Sequence, residues 1–259
     1  MTLCVGALVH PDAYVCVSDM KLTGESEAGS FGQETAFSKT GRVARNWLLS
    51  YSGVSSNYMA LMTHLDTDVN TDYTMIEVMG AIKSVYDKQR FAFISDLLAK
   101  YCVEPAFFVK SGREAFGDPM YRRIWGEIED GWQLDCMLGG VDGGNARLMV
   151  LNEGGWHYDS VPGFAAIGIG TATANTVLYR SYDYHCRSIG QTAARLLEAK
   201  FTSEVSPHIG GDTTVWVVTP DGAGTLLDTE LVDDIRVCWK DSVETFYGVA
   251  AKTVASELD

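Results

Sequence analysis

Apolar residues form short blocks near both ends of the chain and longer, helically spaced stripes in the middle. Residues 3–9 (LCVGALV) and 13–19 (AYVCVSD) are β-type runs flanking the turn signal His10-Pro11-Asp12, which predicts a hairpin. A Gly- and Ser-containing loop is expected over 23–33 (TGESEAGSFGQ), then two strands in AFSKTGRVAR and NWLLSYSG, joined near Asn46. Gly53 closes the second strand, and VSSNYMALMTHL opens a helix with Ser or Asn available as cap. Between Tyr73 and Tyr101, the spacing of Ile76, Met79, Ile82, Val85, Phe93, Leu97 and Leu98 predicts one long helix or two in series.

Residues 103–132 break this regularity. Pro105, Gly112, Gly117, Asp118-Pro119 and Gly131 punctuate aromatic residues, so an irregular segment is expected, with one strand near FFVK. Strands then return in LDCMLGGVD, ARLMVLNEG, GWHYDSV and FAAIGIG. Helices are expected over 173–186 and 188–201, strands in TTVWVVTP and AGTLLD, and a last helix over 242–255. Asp233-Asp234 reads as a solvated loop.

Strands and helices thus alternate as blocks, not singly, which argues against a doubly wound βαβ sheet. Two antiparallel sheets packed face to face, with a helical pair on each outer face, suit this order. Sheets buried on both sides also explain why LCVGALV and TTVWVV lack polar alternation. The expected fold is α+β, a four-layer αββα sandwich.

Composition narrows the chemistry. The chain has 259 residues, 46% of them hydrophobic, enough for a sizeable core. A formal net charge of −14 disfavours a nucleic acid or an anionic membrane as partner. The six cysteines show no CxxC spacing and mostly lie in apolar runs, which reads as buried free thiols in a reducing compartment. The five histidines show no HxH or HxxxH spacing, so neither a metal centre nor a cofactor is expected. The opening lacks a basic region, and no apolar run is long enough to span a bilayer. A cytoplasmic protein is the resulting expectation.

Thr2 stands directly behind the start methionine, so it either begins an edge strand or becomes the mature N-terminus and does chemistry there. Several short motifs bear on this. TLCVGALV, VCVSD ending at Asp19, FSK ending at Lys39, LLSYSG ending at Gly53, MLGGVD, AIGIGTATA and GGDTTVWVVTPDG together resemble the proteasome β-subunit family. That family includes the bacterial ATPase-partnered ring peptidase and the bacterial ancestral β-subunit (Anbu) group, and the opening MTLCVG looks most like the last. The resemblance spans most of the chain except roughly 67–132 and the C-terminal tail. It implies one N-terminal-nucleophile hydrolase domain over 1–259, with 103–132 as an irregular insertion.

The resemblance also implies roles. Thr2, freed of Met1, would carry both the nucleophilic hydroxyl and, in its own α-amine, the base. An α-amine with a pKa of about 7.7–8.0 is partly neutral near pH 7. Lys39 would lower that pKa, Asp19 would hold Lys39, and the Gly53 N–H would receive the oxyanion. The Thr23 backbone would align an extended peptide as an added strand, and Tyr51 would line the pocket for the residue before the cleaved bond. Two departures stand out. Ile169 occupies the position where the family usually has a serine beside the nucleophile's amine, with Thr171 as candidate substitute. Where proteasome peptidases carry an aspartate and a serine, the nearest residues are Ser206 and Ile209, with Asp212 as an adjacent carboxylate.

The implied activity is a threonine-type peptidase in a self-compartmentalising homo-oligomer, a ring or spiral, acting on peptide or amide substrates; an ATPase partner is left open. A catalytically silent scaffold subunit and an amidase for small non-peptide amides are the rival readings. Each residue also has an ordinary use: Asp19 as a turn cap, Lys39 as a surface lysine on an alternating strand, Gly53 as a strand terminator.

Overall fold

The computed structural model describes the chain apart from residues 1, 10, 27–28, 35–37, 159–162, 182–187, 220, 222 and 259. Side chains are described outside these and outside 22–26, 29–34, 158, 181 and 246–258.

The first two β-type runs form the expected hairpin, β1 (Leu3–Val9) and β2 (Ala13–Asp19), paired in register from Cys4 opposite Ser18 to Val9 opposite Ala13. β1 also pairs with β10 (Phe164–Gly168), and β2 with β11 (Thr213–Val218), which carries the short β12 (Gly224–Leu226). The second five-stranded antiparallel sheet runs β5 (Thr40–Ala44), β6 (Trp47–Gly53), β7 (Leu134–Asp142), β8 (Asn145–Asn152) and β9 (Gly155–Tyr158).

Alternate residues of the same strand enter different cores. Leu3, Val5, Ala7 and Val9 point to a helical layer of α4 (Thr171–Ser181), α5 (Ile189–Ser203) and part of α6 (Thr229–Leu258). Cys4 and Leu8 point the other way, into the layer between the sheets, with Tyr14, Cys16, Leu48 and Met137. On the far side, Trp47, Leu49 and Tyr51 pack against α1 (Ser55–His64) and α2 (Met75–Ala99). This is the four-layer αββα sandwich, and burial of both sheet faces accounts for the missing polar alternation.

Four expectations are corrected. Part of the stretch read as a loop over 23–33 is strand: β3 (Lys21–Ser26) and β4 (Gly29–Glu34) pair as a separate two-stranded sheet, held by backbone pairing that its Gly, Ser and Glu residues do not advertise. Residues 103–132 are not irregular and hold no strand; they form α3 (Pro105–Gly131), kinked at Gly117, where φ is +72°. Pro105 sits in its first turn and Pro119 just beyond the kink, positions where a missing N–H breaks no helical bond. An apolar cluster of Leu97, Leu98, Phe108, Ile124 and Ile128 binds α3 to α2. The last helix starts at Thr229, not near 242, because Val232, Ile235, Arg236 and Trp239 recur at helical spacing on its inward face; Asp233 and Asp234 are exposed on its other side. Finally, α1 has Val54 as N-cap and no side-chain capping bond, despite the serines and asparagine at its start.

Among the described residues, no helix is long and apolar enough to cross a membrane. Of the described cysteines, Cys4, Cys16 and Cys136 are buried, as expected of free thiols in apolar runs, whereas Cys102 and Cys238 are exposed.

Candidate active site

The ends of β1, β2, β6 and β10 converge at one end of the sandwich. Thr2, just before β1, is buried. Its carbonyl lies against Gly168, where an added Cβ would come within 2.0 Å of that oxygen and 3.0 Å of Ser52 Oγ. Gly168 has φ +99°, so both its conformation and the close approach demand glycine.

Asp19 ends β2 and is fully buried (0% exposed), as is Lys39 (1%) at the start of the second sheet. Lys39 Nζ donates to Asp19 Oδ1 at 3.0 Å, and the same oxygen accepts the Leu3 N–H at 3.0 Å. Lys39 Nζ also donates to the Lys21 carbonyl at the start of β3. The other Asp19 oxygen, Oδ2, accepts the Gly210 N–H at 3.1 Å. The carboxylate therefore ties together the N-terminal strand, the lysine and the loop before β11. A buried ion pair of this kind persists only because its remaining lone pairs and protons are met by backbone groups.

Gly53 ends β6 with φ +110°; a Cβ there would meet the Gln133 carbonyl oxygen at 2.1 Å. The uncapped N-terminus of α1 follows within two residues, adding a positive dipole end beside it. Thr23 lies in β3 opposite Gly32, so its backbone is part of the small two-stranded sheet. The Tyr51 ring lies flat on Tyr58, with centroids 4.0 Å apart and an 11° tilt, inside the core between β6 and α1. Burial pushes the Tyr51 phenol well above its ordinary range. Its backbone reaches the site: the N–H donates to the Lys39 carbonyl at 3.0 Å, and the carbonyl accepts Cys4 Sγ at 3.4 Å.

The two family departures have structural consequences. Ile169 is 51% exposed at the turn between β10 and α4. Thr171 donates its hydroxyl to the Gly168 carbonyl at 2.6 Å, so it braces the turn behind Thr2. Ile209 is buried in the outer core and Ser206 takes part in a backbone turn. The Asp212 side chain is exposed, and its described tie is a backbone one, the Met20 N–H to its carbonyl at 3.2 Å. In that loop it is Gly210 that meets Asp19.

Two contributors have no counterpart in the sequence reading. Ser52 is buried beside Gly168 and Thr2. Lys200 is fully buried on α5, its ammonium bound by Glu204 and by the carbonyls of Gly210 (2.7 Å) and Gly211 (2.8 Å). Lys200 was detectable: with Ala193, Leu196 and Leu197 it occupies one helical stripe, where a lysine is out of place unless it is paired. Among the described residues, no group of three or more His, Cys, Asp or Glu side chains could hold a metal ion.

Two stacked antiparallel sheets between helical layers, with β1 set into one of them, give the chain a fold that is also found in solved proteins. Solved structures of the ancestral β-subunit, Anbu, share it almost end to end. Anbu from Yersinia bercovieri matches with a TM-score of 0.64 and 12% identity over 95% of this chain and 97% of that one. An Anbu (Gly-1) mutant from Hyphomicrobium sp. strain MC1 matches with a TM-score of 0.62 and 14% identity over 96% and 97%. A second Anbu structure from that strain gives 0.61 and 14% over 95% and 97%. At these identities the likeness establishes the fold. No protein-family model and no curated protein matches the chain.

Proposed function

We propose that the protein is a threonine N-terminal-nucleophile amide hydrolase, a peptidase working inside a homo-oligomer. The observation that carries this reading is the shared carboxylate oxygen: Asp19 Oδ1 holds both the Leu3 amide and the Lys39 ammonium, so the cation is kept beside the residue that would become the N-terminus. Removal of Met1 would give Thr2 a free α-amine. In that state the amine takes the Thr2 hydroxyl proton as Oγ adds to the substrate carbonyl. The tetrahedral oxyanion is received at Gly53, and the proton passes to the leaving amine as the C–N bond breaks. Water then hydrolyses the ester and returns the proton to Oγ. Lys39, ion-paired with Asp19, favours the neutral form of the α-amine. An extended peptide adds along β3 through the Thr23 backbone. Tyr51, two residues before Gly53 on β6, is the residue offered for the pocket of the side chain before the cleaved bond.

The deciding experiment is peptide mass spectrometry after treatment with a β-lactone or a peptide epoxyketone. The expected result is an adduct on a peptide beginning at Thr2. Quantitative retention of Met1 in active preparations, or a processed chain that takes no adduct, overturns the reading. A catalytically silent scaffold subunit is the second reading, favoured by the exposed Ile169 in place of a hydroxyl beside the nucleophile.

A further inference from the structure

Beyond the Gly210 amide that meets the second Asp19 oxygen lies another charge cluster, centred on the buried Lys200. Lys200 Nζ donates to Glu204 and to the Gly210 and Gly211 carbonyls. Arg236 of α6 donates to Glu204 Oε2 at 2.5 Å, to the Gly211 carbonyl, and to Thr213 Oγ1 at 3.1 Å. Lys21 Nζ grips the same loop from the other end, at the Pro207 carbonyl, 2.8 Å away. The loop is thus clamped along its length, and its one described tie to a side chain of the candidate site is the Gly210 N–H on Asp19 Oδ2.

We propose that Lys200 is a positioning residue for the Thr2 nucleophile: by clamping the Gly210 and Gly211 carbonyls it aims the Gly210 N–H at Asp19, and its charge adds to the positive potential around the terminal amine. This rests on the nucleophile reading above. Two features argue for a role beyond fold. A fully buried lysine pays a large desolvation penalty, and a leucine in the same stripe would pack without it. The cluster is also unbalanced, since two cations and one carboxylate leave one positive charge behind a site that needs its amine neutral. The charged groups acting on Lys200 are Glu204 of α5, Arg236 of α6 and Asp19 of β2; the other titratable side chains nearby are Lys39, paired with Asp19, and His208 and Asp212 on the clamped loop. Burial holds the Lys200 ammonium below its ordinary range, while Glu204 opposes that shift.

The test is the pH profile of Thr2 acylation by a β-lactone, followed by intact mass from pH 5 to pH 9 on the full, Met1-free chain. Losing a cation makes the potential at the amine more negative, so the amine holds its proton more tightly. In K200M the acid limb therefore moves up by about half a unit to one unit. In E204Q, which removes the opposing charge and keeps Lys200, it moves down by a similar amount. A merely structural role would weaken both variants without opposite displacements. Profiles superposed on the wild type, or displaced in the same direction, overturn the assignment. If K200M does not fold, E204Q decides alone, and no downward displacement overturns it. A wild-type chain that takes no adduct at any pH overturns the nucleophile reading and this role together. A wild type that reacts, with unmoved variants, overturns only the role of Lys200.

Discussion

Asp19 and Lys39 form an ion pair at 3.0 Å with neither side chain reaching solvent, and the paired oxygen is also the acceptor for the Leu3 amide. Removing one member leaves a buried charge unmatched, so Lys39→Met is expected to lower stability by about 3–5 kcal/mol. Replacing both, as Asp19→Asn with Lys39→Met, is expected to recover part of that loss, because asparagine's single carbonyl oxygen can still accept the Leu3 N–H while its NH2 is left facing the Gly210 N–H. Both variants are expected to lose acylation at Thr2. Chemical denaturation alongside intact-mass acylation checks the two effects separately; a double variant as unstable as the single would contradict the pairing.

Gly168→Ala is expected to displace Thr2, since its Cβ would meet the Thr2 carbonyl at 2.0 Å in a backbone conformation alanine disfavours. A stability loss of about 1–3 kcal/mol and strongly reduced acylation should follow. Gly80→Ala, in α2 with open space around it, is the matched control and should raise stability by roughly 0.5–1 kcal/mol. Thermal melts of the two variants should move in opposite directions.

Thiol reactivity should divide the described cysteines. Burial pushes the thiols of Cys4, Cys16 and Cys136 upward, whereas Cys102 and Cys238 are exposed. Iodoacetamide at pH 8 on the native protein should modify Cys102 and Cys238 and spare the other three, as read by peptide mapping. Labelling of Cys4 at the same rate would mean that the layer between the sheets is open.

Assembly is expected through the α2–α3 pair, which carries Phe91, Phe107, Val109 and Trp125 as exposed large apolar side chains. Light scattering should report particles several times heavier than the 28.3 kDa chain. A monomer at micromolar concentration would remove the compartment from the proposal and leave the fold intact.

Much of the sandwich was legible because burial on both faces leaves a mark in the sequence: unbroken apolar strands such as LCVGALV and TTVWVV need two cores. What was illegible has specific causes. The β3–β4 pair is held by backbone pairing, which leaves no apolar pattern to read. In α3, Pro105 and Pro119 look like breakers until their places at helix starts are known. Within the candidate site, Asp19, Lys39 and Gly53 could be located from short motifs, each on its own strand end. The Gly210 contact and the Lys200 clamp join segments nearly two hundred residues from Asp19, and no local pattern links them.

The carboxylate of Asp19 grips the amide of residue 3, one peptide beyond the bond that processing would cut. That grip involves no atom of the initiator residue, so the strand can be seated before any aminopeptidase acts. Under the proposed nucleophile reading, removal of Met1 would then unmask a pocket whose strand is already in place. If the proposed assembly also holds, particles could form inert and be armed later by one cleavage per subunit.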